Sequence, residues 1–314
     1  MFQRYYCKAE ESKTSDCESC ETKTPCKSCD EPKVSDSFSG DVLKGKQMKK
    51  LLKAIKKDTD KKIYNESVEA KFLEAIKYAS KHQDIKAVIH VQEIWGNYCM
   101  YLSRLDKAEP IFKAMMQNLL VSGSKQTDAA VVKISLKLAT IYAHQSKHQL
   151  AVAGYDWSVK SCRINLNSQD EGTVESTNTK VLLGMVLDSY ARYLHMLGKN
   201  EKALELNLEA LKLSQELYGE ESSQTAVLYN SIASIYVSLG NTKEALKNAK
   251  VANKILDKSN SLDNEERAVI LHNYCYILKL SGKIELARKK IEACLKLTSD
   301  RTLKEKLDNL LSSM

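Results

Sequence analysis

Apolar and small residues recur along this chain at two nested spacings. Over short stretches they fall at i, i+3, i+4 and i+7, the period of a helix with one buried stripe. Over longer stretches the stripe itself returns: Ala108, Ala151, Ala203, Ala245 and Ala287 stand 43, 52, 42 and 42 residues apart. Twelve residues before these alanines come Gly96, Ala139, Ala191, Ala233 and Cys275, all small, and thirteen before them Trp95, Leu138, Tyr190, Ile232 and Tyr274, all large. Five before them come the turn formers Ser103, Ser146, Gly198, Gly240 and Gly282. A small residue lets two helix axes approach, while its large neighbour fills the groove beside the contact. A Gly or Ser five residues before the alanine ends one helix and lets the chain reverse. The pattern therefore predicts five antiparallel helix pairs in succession. A degenerate sixth pair precedes them, with Met48, Leu51, Leu52 and Ile55 on its first helix and Val68, Phe72 and Ala75 on its second.

Small and large positions in this order, with Phe112, Tyr155 and Ile291 four residues after the alanine, form the tetratricopeptide pattern at a period of 42 instead of about 34. The expected fold is all-α: a tetratricopeptide-repeat, right-handed superhelical solenoid of about six helix pairs over residues 43–314. Leu303, Leu307, Leu310 and Leu311 form one stripe, predicting a C-terminal helix that caps the last pair. Between the third and fourth pairs the spacing stretches by ten residues, so residues 164–179 are expected to form a mobile loop or a short helical extension. Three prolines and eleven glycines among 314 residues leave little room for sheets and hairpins. No apolar run reaches membrane-spanning length. The net charge of +8 comes without an aromatic RNA-binding motif or a regular basic stripe, so nucleic acid is not indicated.

Residues 1–42 differ in kind, being poor in large aliphatics, rich in Ser, Thr, Lys and Glu, and home to five of the nine cysteines. They read as a disordered, cysteine-rich leader. Cys17, Cys20, Cys26 and Cys29 form two Cys-x-x-Cys pairs that four-thiolate zinc chemistry could use. The spacer between the pairs is only five residues, however, and few apolar residues stand near to cover a metal, so a solvated tail is the favoured reading. Cys99, Cys275 and Cys294 fall on helix-packing positions and read as small core residues. Lys49, Lys50, Lys53, Lys56 and Lys57 lie on the opposite face of their helix from Met48, Leu51, Leu52 and Ile55. Such a helix could lie on an anionic membrane; the plainer reading is the first helix of the solenoid with solvated lysines.

Catalytic motifs are missing from the sequence. It contains no phosphate-binding glycine loop, zinc-protease helix or nucleophile elbow, and no base is placed beside a nucleophile. His144 and His148 are four apart but flank the turn residue Ser146, so they do not share a helix face. The chain reads as a non-enzyme that needs no cofactor. On the first helices of the pairs, Glu93, Asn97, Lys133, Lys137, Asp188, Arg192, Asn230 and Ser234 are expected to face a concave groove. That mixture suits an extended polar peptide held by hydrogen bonds, and it serves equally as a solvated face.

The stretches IFKAMMQNLLVSGSKQTDAAVVKISLKLATIYA (111–143), AGYDW (153–157) and LLGMVLDSYARYL (182–194) resemble the mitochondrial tetratricopeptide repeat protein 19 family, with the likeness running over roughly residues 45–313. The resemblance implies a mitochondrial, inner-membrane-associated, non-catalytic scaffold for respiratory chain complex III (ubiquinol–cytochrome c reductase). It further implies support of that complex's assembly and turnover of its Rieske iron–sulfur subunit. The family supplies no catalytic residues to carry over, and the presequence its members are expected to have is not visible in residues 1–40. The rival class is a cytosolic kinesin-light-chain-like cargo adaptor, which shares the 42-residue period; its motor-binding heptads should precede the repeats, and residues 1–40 hold none.

Overall fold

A computed structural model describes residues 45–258 and 262–314. The leader, with Cys17, Cys20, Cys26 and Cys29, lies outside the described residues. Within them are thirteen α-helices and no strand. They divide into two compact units, the first ending at Ala151 and the second beginning at Val152.

The first unit holds α1 (Lys46–Thr59), α2 (Glu66–Lys81), α3 (Ile85–Tyr101), α4 (Leu105–Val121), α5 (Ala129–His144) and the first turn of α6 (His148–Ser168). Met48 and Ile55 of α1 are fully buried, and α2 answers with Val68, Phe72, Ala75 and Ala79 on one stripe. The Phe72 ring stacks on Trp95 of α3 at 5.4 Å between centroids. Helices α3 and α4 approach so closely that a Cβ on Gly96 would lie 2.7 Å from Cζ of the fully buried Phe112 ring, so only glycine fits.

The second unit holds the rest of α6, then α7 (Val174–Met196), α8 (Asn200–Tyr218), α9 (Ser223–Ser238), α10 (Thr242–Lys258), α11 (Asn264–Leu280), α12 (Ile284–Leu297) and α13 (Arg301–Ser312). Tyr155 stacks on Tyr190 at 5.1 Å between centroids near its start, and its later helices pack through small residues. Ala233, Ala245, Ala249 and Ala287 cluster under Tyr274, Ile277 and Leu278. Leu303, Leu307 and Leu310 of α13 close the last pair against Leu271, Cys275 and Ile291, as the leucine stripe predicts. Helix α11 starts with a capping box between Asp263 and Glu266, and Glu265 beside it accepts hydrogen bonds from the Ser299 amide and hydroxyl, both at 2.8 Å, fixing the approach to α13.

All five repeat alanines are fully buried, as are Ala139, Ala191, Ala233 and Cys275. The turn formers behave as the spacing predicts. Ser103, Ser146, Gly198, Gly240 and Gly282 all take a left-handed φ between 56° and 74°. Behind each, the next residue's N–H returns to a carbonyl in the preceding helix, as Arg104 N donates to Cys99 O at 2.8 Å and Lys199 N to Leu194 O at 2.9 Å. His144 ends α5 and His148 begins α6, so the reversal at Ser146 parts them. Of the two readings for residues 164–179, the helical extension is the one seen. Helix α6 has 21 residues and α7 has 23, leaving only residues 169–173 between them. Thr173 caps α7 by accepting from Ser176 N at 3.1 Å, which lets helix start inside a polar stretch. Among the described residues no helix is long and apolar enough to cross a membrane.

Candidate functional site

The eight candidate residues fall into two groups, one in each unit. In the first, Lys137 of α5 reaches across to α3, where its Nζ donates to Asn97 Oδ1 at 2.9 Å and lies 3.8 Å from Glu93 Oε1. The same ammonium sits over the Phe112 ring, 5.4 Å from its centroid, so the aromatic that demands Gly96 also seats the lysine. Lys133 lies one helical turn before Lys137.

In the second unit, Asp188 and Arg192 are one turn apart on α7 and pair with each other at 2.6 Å, with side chains 17 % and 18 % exposed. Burial pushes the Asp188 carboxyl above its ordinary range, and the Arg192 guanidinium opposes that shift. One carboxylate oxygen, Oδ1, is buried with no hydrogen-bond partner. Asn230 and Ser234 on α9 are met from α11: Asn273 Nδ2 donates to Asn230 Oδ1 at 3.1 Å and lies 3.5 Å from Ser234 Oγ. The Ser234 hydroxyl also donates to the Asn230 carbonyl at 3.1 Å.

Sequence reasoning did not single out Asn273, although a signal exists. Asn273 stands one residue before the large residue Tyr274, as Lys137 stands one before Leu138. Both project from the first helix of one pair to the residues two before and two after the large position on the first helix of the preceding pair. In α3 those are Glu93 and Asn97; in α9 they are Asn230 and Ser234. Lys133 and Lys137 do not share the register of the other six candidates, because in α5 that register holds Leu136, which is buried, and Thr140, whose hydroxyl donates to the Leu136 carbonyl. The arrangement is a recurrent polar strut between neighbouring first helices. It uses part of the hydrogen-bonding capacity of the candidates and leaves some on the Asn230 amide.

A second feature lies between α2, α3 and α4. A cleft of about 290 Å³ is lined by Ile76, Gln92, Trp95, Pro110, Ile111 and Ala114, together with Glu69 and Lys107. At one end Lys107 donates to Glu69 at 3.1 Å, and the Tyr64 hydroxyl donates to the same carboxylate at 3.0 Å while accepting from Trp95 Nε1 at 3.3 Å. This network ties the α1–α2 loop to α3. The four described cysteines, Cys99, Cys162, Cys275 and Cys294, are all buried, and burial pushes their thiols up to about 11 or 12, so they are packing residues and poor nucleophiles.

A tetratricopeptide-repeat family model matches residues 182–258, the stretch from α7 through α10. The chain is 31 % identical over 229 residues to the human protein named tetratricopeptide repeat protein 19, mitochondrial, covering 71 % of this chain and 60 % of that one. The mouse protein of the same name is 33 % identical over 218 residues, covering 68 % and 59 %. The chain thus spans about three fifths of the length of these relatives. Among solved structures, the apo form of RapI superposes with a TM-score of 0.62 at 16 % identity, covering 87 % of this chain and 71 % of that one, a likeness of fold alone.

Proposed function

Because this chain is a homologue of tetratricopeptide repeat protein 19, we propose that it is a non-catalytic scaffold for respiratory complex III, held at the mitochondrial inner membrane. In this reading it supports assembly of that complex and turnover of its Rieske subunit through protein–protein contacts. The relationship to mitochondrial relatives across the repeat region carries the proposal. The fold supports the coarser part of it: helix pairs of tetratricopeptide type are interaction scaffolds whose first helices present side chains to a partner. In this reading Glu93, Asn97, Lys133, Lys137, Asp188, Arg192, Asn230 and Ser234 contact a partner segment. The half-buried amides of Asn230 and Asn273 offer hydrogen bonds to an extended backbone.

The test is a native gel of detergent-solubilised mitochondria from cells lacking the protein, re-supplied with either the parent chain or an Asp188→Ala, Asn230→Ala double variant. Co-migration of the parent with complex III, Rieske fragments that accumulate without it, and weaker co-migration of the variant are expected. A chain that never co-migrates, and whose loss leaves Rieske fragments unchanged, refutes the reading. Cytosolic puncta on microtubules would instead favour the cargo-adaptor class.

A further inference from the structure

We propose that the lysine face of α1 is a docking surface for the acidic phospholipid headgroups of a bilayer, bound by charge without insertion. Between positions 46 and 57 the helix carries six lysines and no acidic residue. At 100° per residue all six fall within an arc of about 120°, along about 17 Å of helix. All six are exposed, and none makes an ion pair among the described residues. Asp58, the nearest carboxylate, is turned to the flank and is already held by Lys61 and Lys71. Removing these six charges would take the formal excess of +8 down to +2, so most of the chain's net charge resides on this one face.

The fold determines which kind of membrane contact is open to this helix. An amphipathic helix that inserts must offer its apolar stripe to the lipid. Here that stripe is occupied, because Met48 and Ile55 are fully buried and Leu51 and Leu52 half-buried, with α2 packed alongside. Only the ammonium groups are left to meet a partner. Compact lysine charges suit a diffuse anionic surface, whereas recognition of nucleic acid favours arginine forks and stacking aromatics, and this face has neither. At the C-terminal end of the lysine row stand residues suited to the interface of a bilayer. Ile63 is 59 % exposed, and Tyr101, 42 % exposed, carries the Lys62 ammonium over its ring at 5.8 Å.

The experiment is sedimentation of the full chain with phosphatidylcholine vesicles, with and without about 30 mol % phosphatidylserine, at about 0.1 M and about 0.5 M salt. Binding to the acidic vesicles alone, abolished at the higher salt, is expected. Each lysine near the surface is worth about a fivefold change in partition, so Lys49→Gln, Lys50→Gln, Lys53→Gln and Lys57→Gln together should lower binding by about a hundredfold or more. The four corresponding Lys→Arg changes should retain it, which excludes a folding defect at this helix. A charge-matched control, Lys243→Gln, Lys250→Gln, Lys254→Gln and Lys289→Gln, should leave binding nearly unchanged. Equal binding to neutral vesicles, or equal loss in both glutamine variants, would overturn the proposal. So would a single-stranded RNA that binds the same lysines more tightly than the vesicles do.

Discussion

Four residues after the repeat alanine, the first unit places Phe112, a ring wedged against Gly96 and topped by Lys137. At the same register the second unit has Tyr155, Asn207, Ala249 and Ile291. Asn207 is fully buried, and neither end of its amide has a hydrogen-bond partner. Around Phe72 the first unit assembles Trp95 and Tyr98 into ring contacts and ties Tyr64 to them. The second keeps rings near its start, where Tyr155 stacks on Tyr190 at 5.1 Å and meets Tyr193 at 5.7 Å, and beyond them relies on Ala233, Ala245 and Ala249. The turns differ too. Ser103 and Ser146 hold the left-handed position in the first unit, where the second uses Gly198, Gly240 and Gly282. One helix-pair plan thus changes along the chain: large rings and strained serine turns in the first unit, then, past the stacked tyrosines that open the second, small residues, relaxed glycine turns and an unsatisfied polar core. The helix crossing asks only that volumes match, so a large ring against glycine and a medium residue against alanine are both solutions.

The contrast can be broken experimentally. Trp95→Ala should have the largest effect, costing about 3–5 kcal/mol, because it removes the Phe72 stack and the hydrogen bond to Tyr64. Hydrogen exchange should show the loss in α3 and α4; a loss confined to α8 and α9 would dissolve the distinction. Asn207→Leu keeps the branched shape and the number of heavy atoms and removes two orphaned polar atoms, so it should raise stability by about 1–3 kcal/mol in urea unfolding. Gly198→Ala forces a side chain to φ 74° and should cost about 1–2 kcal/mol. Ser103→Gly relieves the matching strain in the first unit and should gain less than about 1 kcal/mol, since glycine also loosens the unfolded chain. A gain from the first of this turn pair, or a loss from the second, would show that the turns are not where the units differ.

The subtlest prediction concerns pH. Glu109 accepts from Lys113 at 2.6 Å and from Lys147 at 3.0 Å, and the Lys113 hydrogen bond leads in holding its carboxyl at about 2, below the ordinary 4.5. A depressed folded-state value means that the stabilisation is complete above the ordinary carboxylate range and fades as the pH falls towards about 2. The stability gap between the parent and Glu109→Gln should therefore be present near neutrality and close in acid. A gap that stays constant with pH would show that the pair is not responsible.

Much of the architecture was legible because repetition is a strong signal. Ala108, Ala203 and Gly282 are interpretable singly only as small residues, yet their common spacing makes each one a crossing or a turn. Extension of helix into residues 164–168 and 174–179 was open in the sequence, because polar residues tolerate helix without announcing it and the decision fell to the Thr173 cap. Of the candidate surface, the positions of Glu93, Asn97, Asp188, Arg192, Asn230 and Ser234 followed from periodicity. The partners of four of them did not: Lys137 reaches Glu93 and Asn97, and Asn273 reaches Asn230 and Ser234, from 39 to 44 residues away.

The sequence by itself determined the helix pairs, their boundaries at Ser and Gly, and the residues that must be buried, since these depend on local period and side-chain volume. Tertiary structure alone decided which polar groups meet and which are stranded. It tied Lys137 to Asn97 and Glu93, and Asn273 to Asn230. It also closed Asn207 into a space without a partner and turned the apolar stripe of α1 inward, so that only its lysines face outward. The physical reason is that hydrogen bonds and charge pairs act over a few ångströms between groups far apart in the chain, and only packing determines those distances.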